Sequence, residues 1–264
     1  MAHEGCMSSL GRILDRFREG DLTKDQAERL ILRSVKVDGF ERVADIAKLD
    51  TGRTHRIGAP EVILAEGKSI ADLVAIAKAQ LQTEGRAIIT RISDEQLRAL
   101  EHFGVQWHEK ARIATIGKAD SVEDKRGIVG IVCAGTADVG VAEEARVIAE
   151  EFGCSTVTAY DVGVAGIHRL YPELPKLVDA DALVVIAGRE GTLPTVIAGL
   201  MDIPVIGVPV STGYGFGGKG EAALLTMLQS CSVLTVVNVD AGFVAGAFAA
   251  KIARRAAQSP DPLS

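Results

Sequence analysis

Aromatic residues are scarce in this chain of 264 residues: Phe, Trp and Tyr together make up 4%. A core poor in aromatics is filled by small and branched aliphatic side chains, and Ala, Val, Ile and Gly are abundant here. That composition suits parallel strands covered closely by helices. Cysteine is also sparse. Cys6, Cys133, Cys154 and Cys231 lie far apart and form no CxxC pair, which argues against a disulfide scaffold and against a structural zinc site. Basic charge is not in excess. A formal net charge of -6 provides no overall positive field to hold a nucleic-acid backbone. No apolar run reaches the roughly 18–20 residues that a membrane-spanning helix needs; the stretch 242–250 stops at Lys251. The first 18 residues lack the apolar centre of a secretory leader. The expectation is a cytoplasmic protein with reduced thiols and neither membrane nor nucleic-acid partners.

The composition, 47% hydrophobic and 24% charged, is that of a globular chain. Its pattern divides it. Helices are expected from about Ser9 to Arg18, after the capping box Thr23-Lys24-Asp25-Gln26, over 70–83 behind Ser69, and from the capping box Ser93-Asp94-Glu95-Gln96 to about His102. Strands are expected over 61–65, 87–92 and 111–116. This makes residues 1–117 a small α+β domain, and the charged stretch 118–127 a linker. A regular alternation then fills 128–258: strands over 128–133, 156–160, 182–187, 205–210 and 234–238, with helices over 141–152, 174–179, 193–201, 221–231 and 241–255. Near-continuous apolar strands alternating with helices predict an α/β, doubly wound parallel sheet. Ligands bind such sheets at the carboxyl ends of the strands, where strand order reverses.

Four polar, glycine-rich segments fall at those ends. Tyr160-Asp161-Val162-Gly163-Val164-Ala165-Gly166-Ile167-His168-Arg169 packs glycines, a carboxylate, a His and an Arg into one loop. Glycine lets backbone approach a ligand closely, and His with Arg supplies a titratable group and a fixed cation. The alternative is a surface pair, with Arg169 on a neighbour such as Glu173. Gly135-Thr136-Ala137-Asp138 precedes a helix and reads either as an anion site or as an ordinary cap. Gly188-Arg189-Glu190-Gly191 places a carboxylate where it serves as a general base or merely caps the next helix. Gly213-Tyr214-Gly215-Phe216-Gly217-Gly218-Lys219 matches half of a phosphate-binding P-loop, but Gly220 stands where that motif needs Ser or Thr. A mobile flap suits it better. Cys231 falls at the end of a helix, where the dipole does not favour a thiolate. Chemistry alone leaves it between a buried apolar residue and a nucleophile. Arg53, His55 and Arg56 form a polar cluster that either meets phosphate or contacts acidic neighbours. The five His are scattered, so metal ligands stay unknown.

Assembled, these residues resemble the aminoimidazole-ribonucleotide carboxylase superfamily, also called PurE. The matches are Gly135-Thr136-Ala137-Asp138, His168-Arg169, Gly191-Thr192-Leu193-Pro194 and Pro204-Val205-Ile206-Gly207-Val208-Pro209. A family histidine after the third strand is absent, and Glu190 appears. The chain is more similar to the LarB family. That likeness rests on Asp161-Val162-Gly163-Val164-Ala165-Gly166-Ile167-His168-Arg169-Leu170, Glu190-Gly191, Gly213-Tyr214-Gly215, Met227-Leu228-Gln229-Ser230-Cys231 and Asn238-Val239-Asp240-Ala241-Gly242-Phe243. Pro60-Glu61-Val62 and Glu66-Gly67-Lys68 extend it into the N-terminal part.

The resemblance implies a flavodoxin-like, PurE-like catalytic domain over 128–258. It implies an enzyme of nickel-pincer nucleotide synthesis, the cofactor of lactate racemase, acting on nicotinic acid adenine dinucleotide with CO2 or bicarbonate as co-substrate. The pyridinium C5 is carboxylated and the phosphoanhydride hydrolysed, giving pyridinium-3,5-biscarboxylic acid mononucleotide and AMP. Cys231, Glu190 and His168 become the catalytic candidates. Gly135, Thr136, Asp138, Asp161, Gly163, Arg169, Gly191, Tyr214, Lys219 and Asp240 become the substrate-binding ones. Magnesium is a candidate cofactor, with Asp138 or Asp240 as ligands, and no tightly bound organic cofactor is expected. A homo-oligomer, an octamer, is implied. The rival readings are a purine-pathway carboxylase or mutase and a dinucleotide-binding module without turnover.

Overall fold

The computed structural model describes residues 9–37, 40–43, 46–50, 53–117 and 125–258. Chain contacts group it into two units, 1–61 and 62–264. The first contains helices α1 (Ser9–Arg18) and α2 (Lys24–Val37), an antiparallel pair β1 (Glu41–Val43) and β2 (Ala47–Leu49), and α3 (Arg53–Ile57). The expected box starts α2: Thr23 N–H donates to Gln26 Oε1 at 2.9 Å, and Gln26 N–H donates to Thr23 Oγ1 at 3.3 Å. Arg53 pairs with Glu61 at 3.2 Å, and Arg56 with Asp50. Both arginines of the polar cluster therefore meet carboxylates. The His55 side chain lies outside the described residues, as do Cys6 and most of the expected linker, 118–124.

The second unit begins with a mixed sheet of four strands in the order β3-β4-β6-β5. These are β3 (Val62–Leu64), β4 (Arg86–Thr90), β5 (Gln106–His108) and β6 (Ile113–Gly117), with α4 (Ile70–Glu84) and α5 (Asp94–Leu100) between them. Only β3 and β4 run parallel in it. Ser69 caps α4, and Gly85, at φ 71°, closes it. Gln96 completes the Ser93 box, and its buried amide also donates to the Ala65 and Lys68 carbonyls at 3.0 Å. One capping residue thus fixes the turn after β3. Strand β5 was not expected; its three residues are too few to show an alternation.

Five parallel strands follow: β7 (Ile128–Cys133), β8 (Ser155–Ala159), β9 (Ala182–Ala187), β10 (Val205–Pro209) and β11 (Thr235–Val236), in the order β8-β7-β9-β10-β11. This is the flavodoxin-like order, so the α/β expectation holds. Every residue of β9 is buried, as a strand covered on both faces requires. On one face Leu183, Val185 and Ala187 join a core with Leu177 of α7 (Leu174–Leu177), Leu193 and Ile197 of α8 (Leu193–Ala198) and Met227 of α9 (Glu221–Leu228). Helices α6 (Val139–Glu151) and α10 (Gly242–Ala256) pack on each other and on β7 and β9. The Thr90 hydroxyl donates to the buried Glu144 Oε1 at 2.9 Å, joining the mixed sheet to α6. No described helix is long and apolar enough to cross a membrane.

The α6–α10 contact depends on glycine. A Cβ on Gly246 would lie 2.3 Å from the Ala145 carbonyl oxygen, so the helices must part to admit a methyl group. We expect Gly246→Ala to lower unfolding free energy by about 2 kcal/mol, read as a lower denaturant midpoint at unchanged slope. An unchanged midpoint would show that the helices separate freely.

Candidate active site

Parallel strands deliver all their carboxyl ends to one edge. There, residues following β7, β8, β9 and β10 enclose a cavity of about 570 Å³. Strand order reverses between β7 and β9, where such sheets bind ligands. Gly135, Asp138, Asp161, Gly163, Arg169, Glu190 and Tyr214 line the cavity. The four glycine-rich segments thus converge as expected.

Asp138 organises the floor. It is 5% exposed. Gly135 N–H donates to its Oδ2 at 3.0 Å, and the Thr212 hydroxyl donates to its Oδ1 at 2.9 Å. A backbone bond from Gly188 adds a third loop. Burial pushes this carboxyl above the usual aspartate range, and its donors pull it back. Gly163 brings the β8 loop against the β7 loop: its N–H donates to the Ala134 carbonyl at 2.9 Å, and a Cβ there would lie 2.8 Å from that oxygen.

Asp161 adopts φ 59° and accepts from Arg169 Nη1 at 2.6 Å. Arg169 is therefore held by Asp161, not by Glu173, which pairs with Lys176, and Asp161 is engaged by Arg169. A Cβ at Gly166 would meet the Arg169 guanidinium at 2.8 Å, so this glycine leaves room for the side chain to fold back. On the opposite wall the Arg189 guanidinium sits 4.6 Å from the Tyr214 ring centre, a cation–π contact. Arg189 itself has φ 48°. Non-glycine residues in this region cluster at functional sites.

Thr212 and Arg189 were not singled out from the sequence as binding residues. The bond from Thr212 to Asp138 spans 74 positions, and no local pattern announces it. Other candidates do not line this cavity. Thr136, His168 and Lys219 are exposed outside it. Gly191 is buried at φ 66° against α9, where a Cβ would meet the Ala223 carbonyl at 2.6 Å. Asp240 lines a different cavity and accepts from Ser211 N–H at 2.9 Å.

Cys231 also lies outside the cavity and is exposed. Helix α9 ends at Leu228, so the thiol sits in a loop beyond the helix and not on its last turn, as the expected helix to 231 had placed it. That loop is fastened to α8. The Thr195 hydroxyl donates to Ser230 Oγ at 2.9 Å, and the Ser232 hydroxyl donates to the Thr195 carbonyl at 3.0 Å. Cys133 and Cys154 are buried, and burial raises both thiols to about 11. They are structural.

Asp138 and Asp240, the two proposed magnesium ligands, line separate cavities, and each commits an oxygen to a protein donor. The described residues contain no group of three or more His, Cys, Asp or Glu that could hold a metal. Asp138 and Asp240 therefore do not converge on one site within a single chain.

The chain matches two family models: a LarB/PurE-like N-terminal domain over residues 40–118 and AIR carboxylase over 128–261. It is 41% identical over 256 residues to an uncharacterised protein of Methanocaldococcus jannaschii, covering 93% of this chain and 97% of that one. Shorter matches reach N5-carboxyaminoimidazole ribonucleotide mutases. The one from Pyrococcus horikoshii is 33% identical over 125 residues, 45% of this chain and 67% of the mutase. The one from M. jannaschii is 35% identical over 130 residues, 47% and 78%.

The Asp138–Thr212 bond makes a testable pH statement. A hydroxyl donor favours the charged carboxylate and lowers its pKa. Thr212→Val should therefore move the Asp138 titration further upward. Carboxyl-carbon NMR reads it, with the signal assigned by its loss in Asp138→Asn. An unmoved midpoint would mean that Thr212 does not donate to the ionised form.

Proposed function

We infer the activity from a premise that the two matches establish: the chain belongs to the LarB family, built on a PurE-like AIR carboxylase domain. We propose that it carboxylates the pyridinium C5 of nicotinic acid adenine dinucleotide and hydrolyses the phosphoanhydride, releasing pyridinium-3,5-biscarboxylic acid mononucleotide and AMP. The observation that carries this reading over a purine mutase is Cys231, exposed while the other described cysteines are buried. An imidazole ribonucleotide needs no nucleophilic thiol. A pyridinium ring does, because it is electron-poor and cannot attack CO2.

In the proposed sequence the Cys231 thiolate adds to C6. The ring becomes an enamine whose C5 carbon captures CO2. Glu190 removes the C5 proton, the C6–S bond breaks, and aromaticity returns with the thiolate as leaving group. Glu190 lines the cavity and is solvent-exposed, so its carboxylate can be reached by a substrate seated there. Arg169, fixed by Asp161, offers a cation for a phosphate. Thr136, His168 and Lys219 stand outside the cavity as candidates for ribose and phosphate contacts.

Cys231 and Glu190 do not share the cavity of one chain. Our reading places them together across a contact between copies in a homo-oligomer, with an octamer as the expected assembly. Exposed apolar residues around the thiol support such a contact: Leu225, Leu228 and Val233, the last 94% exposed.

The first experiment combines purified protein, the dinucleotide, magnesium and labelled bicarbonate, followed by mass spectrometry. Labelled dicarboxylate mononucleotide with AMP is the expected outcome. No turnover with intact substrate, but conversion of an aminoimidazole ribonucleotide, would transfer the protein to the mutase class named by its shorter relatives. Cys231→Ala and Glu190→Gln should each reduce carboxylation by at least about 10³-fold, the scale of losing a nucleophile or base. Subunits carrying one change, co-assembled with subunits carrying the other, should regain part of the activity. Inactive mixed assemblies would confine the site to a single chain.

A further inference from the structure

A second cavity, of about 530 Å³, lies between the mixed sheet and α6, and the chemistry above leaves it unused. The sheet side brings three cations: Arg91 after β4, and Lys110 and Arg112 in the turn between β5 and β6. The opposite wall is Ala137, Gly140 and Val141 at the start of the 13-residue α6. Small residues there expose the positive end of the helix dipole.

Arg91 and Arg112 hold φ of 53° and 51°, backbone that non-glycine residues adopt only when their surroundings impose it. One corner imposes it on Arg112: Ile92 N–H donates to the Arg112 carbonyl at 3.3 Å, and Arg112 Nη2 donates to the Ile92 carbonyl at 3.1 Å. The Ile92 carbonyl is neutral, so the bond aims the guanidinium without cancelling its charge. Arg91 is steered by Glu66 and by the Asp240 carbonyl, both at 3.2 Å. Carboxylates complete the lining: Glu66, Glu144 and Asp240. Asp240 already accepts from Ser211, and Glu144 from Thr90. A cavity of this size, within the ~300–1,000 Å³ range of small-ligand sites, with cations for a phosphate and carboxylates for hydroxyl or amino donors, has the chemistry of a nucleoside monophosphate site.

Its position ties it to the first cavity. Ala137 lines both, so the turn Thr136–Asp138 is their common wall. A dinucleotide with its pyridinium half beside Glu190 would cross this turn with its phosphates at the α6 N-terminus. Resting on the carboxylase–hydrolase reading, we propose that the second cavity receives the adenylate half of the substrate, with Lys110 and Arg112 on its phosphate. The mixed sheet then selects a dinucleotide over a mononucleotide.

The test uses AMP alone as probe, by calorimetry, on the full-length protein and on Arg112→Gln, Lys110→Ala and Arg112→Lys. All three changes are at exposed side chains. Wild type should bind AMP. Arg112→Gln should weaken AMP binding about tenfold, the loss expected for one charge-assisted contact, with Arg112→Lys partly restoring it. The KM for nicotinic acid adenine dinucleotide should rise in parallel, while binding of nicotinic acid mononucleotide, which lacks the adenylate, stays unchanged. Equal AMP affinity in wild type and Arg112→Gln overturns the inference even if the enzyme turns over. Arg112-dependent AMP binding in a protein without turnover would sink the carboxylase reading and leave the adenylate site standing.

Discussion

The polarity of the five parallel strands is the constraint from which the site follows. Because β7 to β10 all point the same way, each must end at the same edge before its chain can return. Four glycine-rich loops are thereby forced into one place, whatever their sequences. What their sequences add is a way to lock them. The Asp138 carboxylate, removed from water, collects donors from Gly135, Thr212 and Gly188. A buried acceptor left without these partners would be costly, so the loops hold one another through it.

The same reasoning explains which parts were legible in the chain. Strands β7 and β9 fell at the residues expected, since both are buried on two faces and read as unbroken apolar runs. Caps announced α2, α4 and α5 through Thr23, Ser69 and Ser93. Weakly patterned pieces were less legible. Strand β11 is two residues long, and α9 stops three residues before Cys231, because Ser230 and Ser232 bond to Thr195 instead of continuing the helix. Their hydroxyls compete for local backbone and side-chain partners, and that choice depends on a helix more than thirty positions away. The convergence of the glycine-rich loops was readable from topology. The bond of Thr212 to Asp138 and the stacking of Arg189 on Tyr214 were not, since both are long-range contacts.

A second consequence concerns charge. Arg53, Arg56 and Arg169 looked alike in the sequence, as cations available to phosphate. Each is paired with a carboxylate in the fold: Glu61, Asp50 and Asp161. Pairing does not have the same meaning at each. Arg169 and Asp161 are both near half exposure and line a cavity. An ion pair in that setting is weak, and an incoming dianion can take the guanidinium from it. Arg53 and Arg56 pair within their own unit with acids more shielded than Asp161, although Arg56 itself is more exposed than Arg169.

On the proposed reading, the arrangement of two cavities on one turn gives the added N-terminal sheet a physical role. A PurE-like domain alone places one crevice at its strand ends, which is sufficient for a mononucleotide. Placing a mixed sheet against α6 builds a second crevice on the other side of the Thr136–Asp138 turn, and brings arginines and a lysine that the parallel sheet does not own. On the proposed reading, the phosphoanhydride then lies over the α6 N-terminus with cations on both sides. Fixed cations and helix dipoles aimed at a bridging phosphate stabilise the charge that develops when it leaves. On that reading one turn of backbone would serve both halves of the reaction: Asp138 anchors the loops around the first cavity, where the ring would be carboxylated, and Ala137, one residue earlier, borders the second, where the departing group would lie.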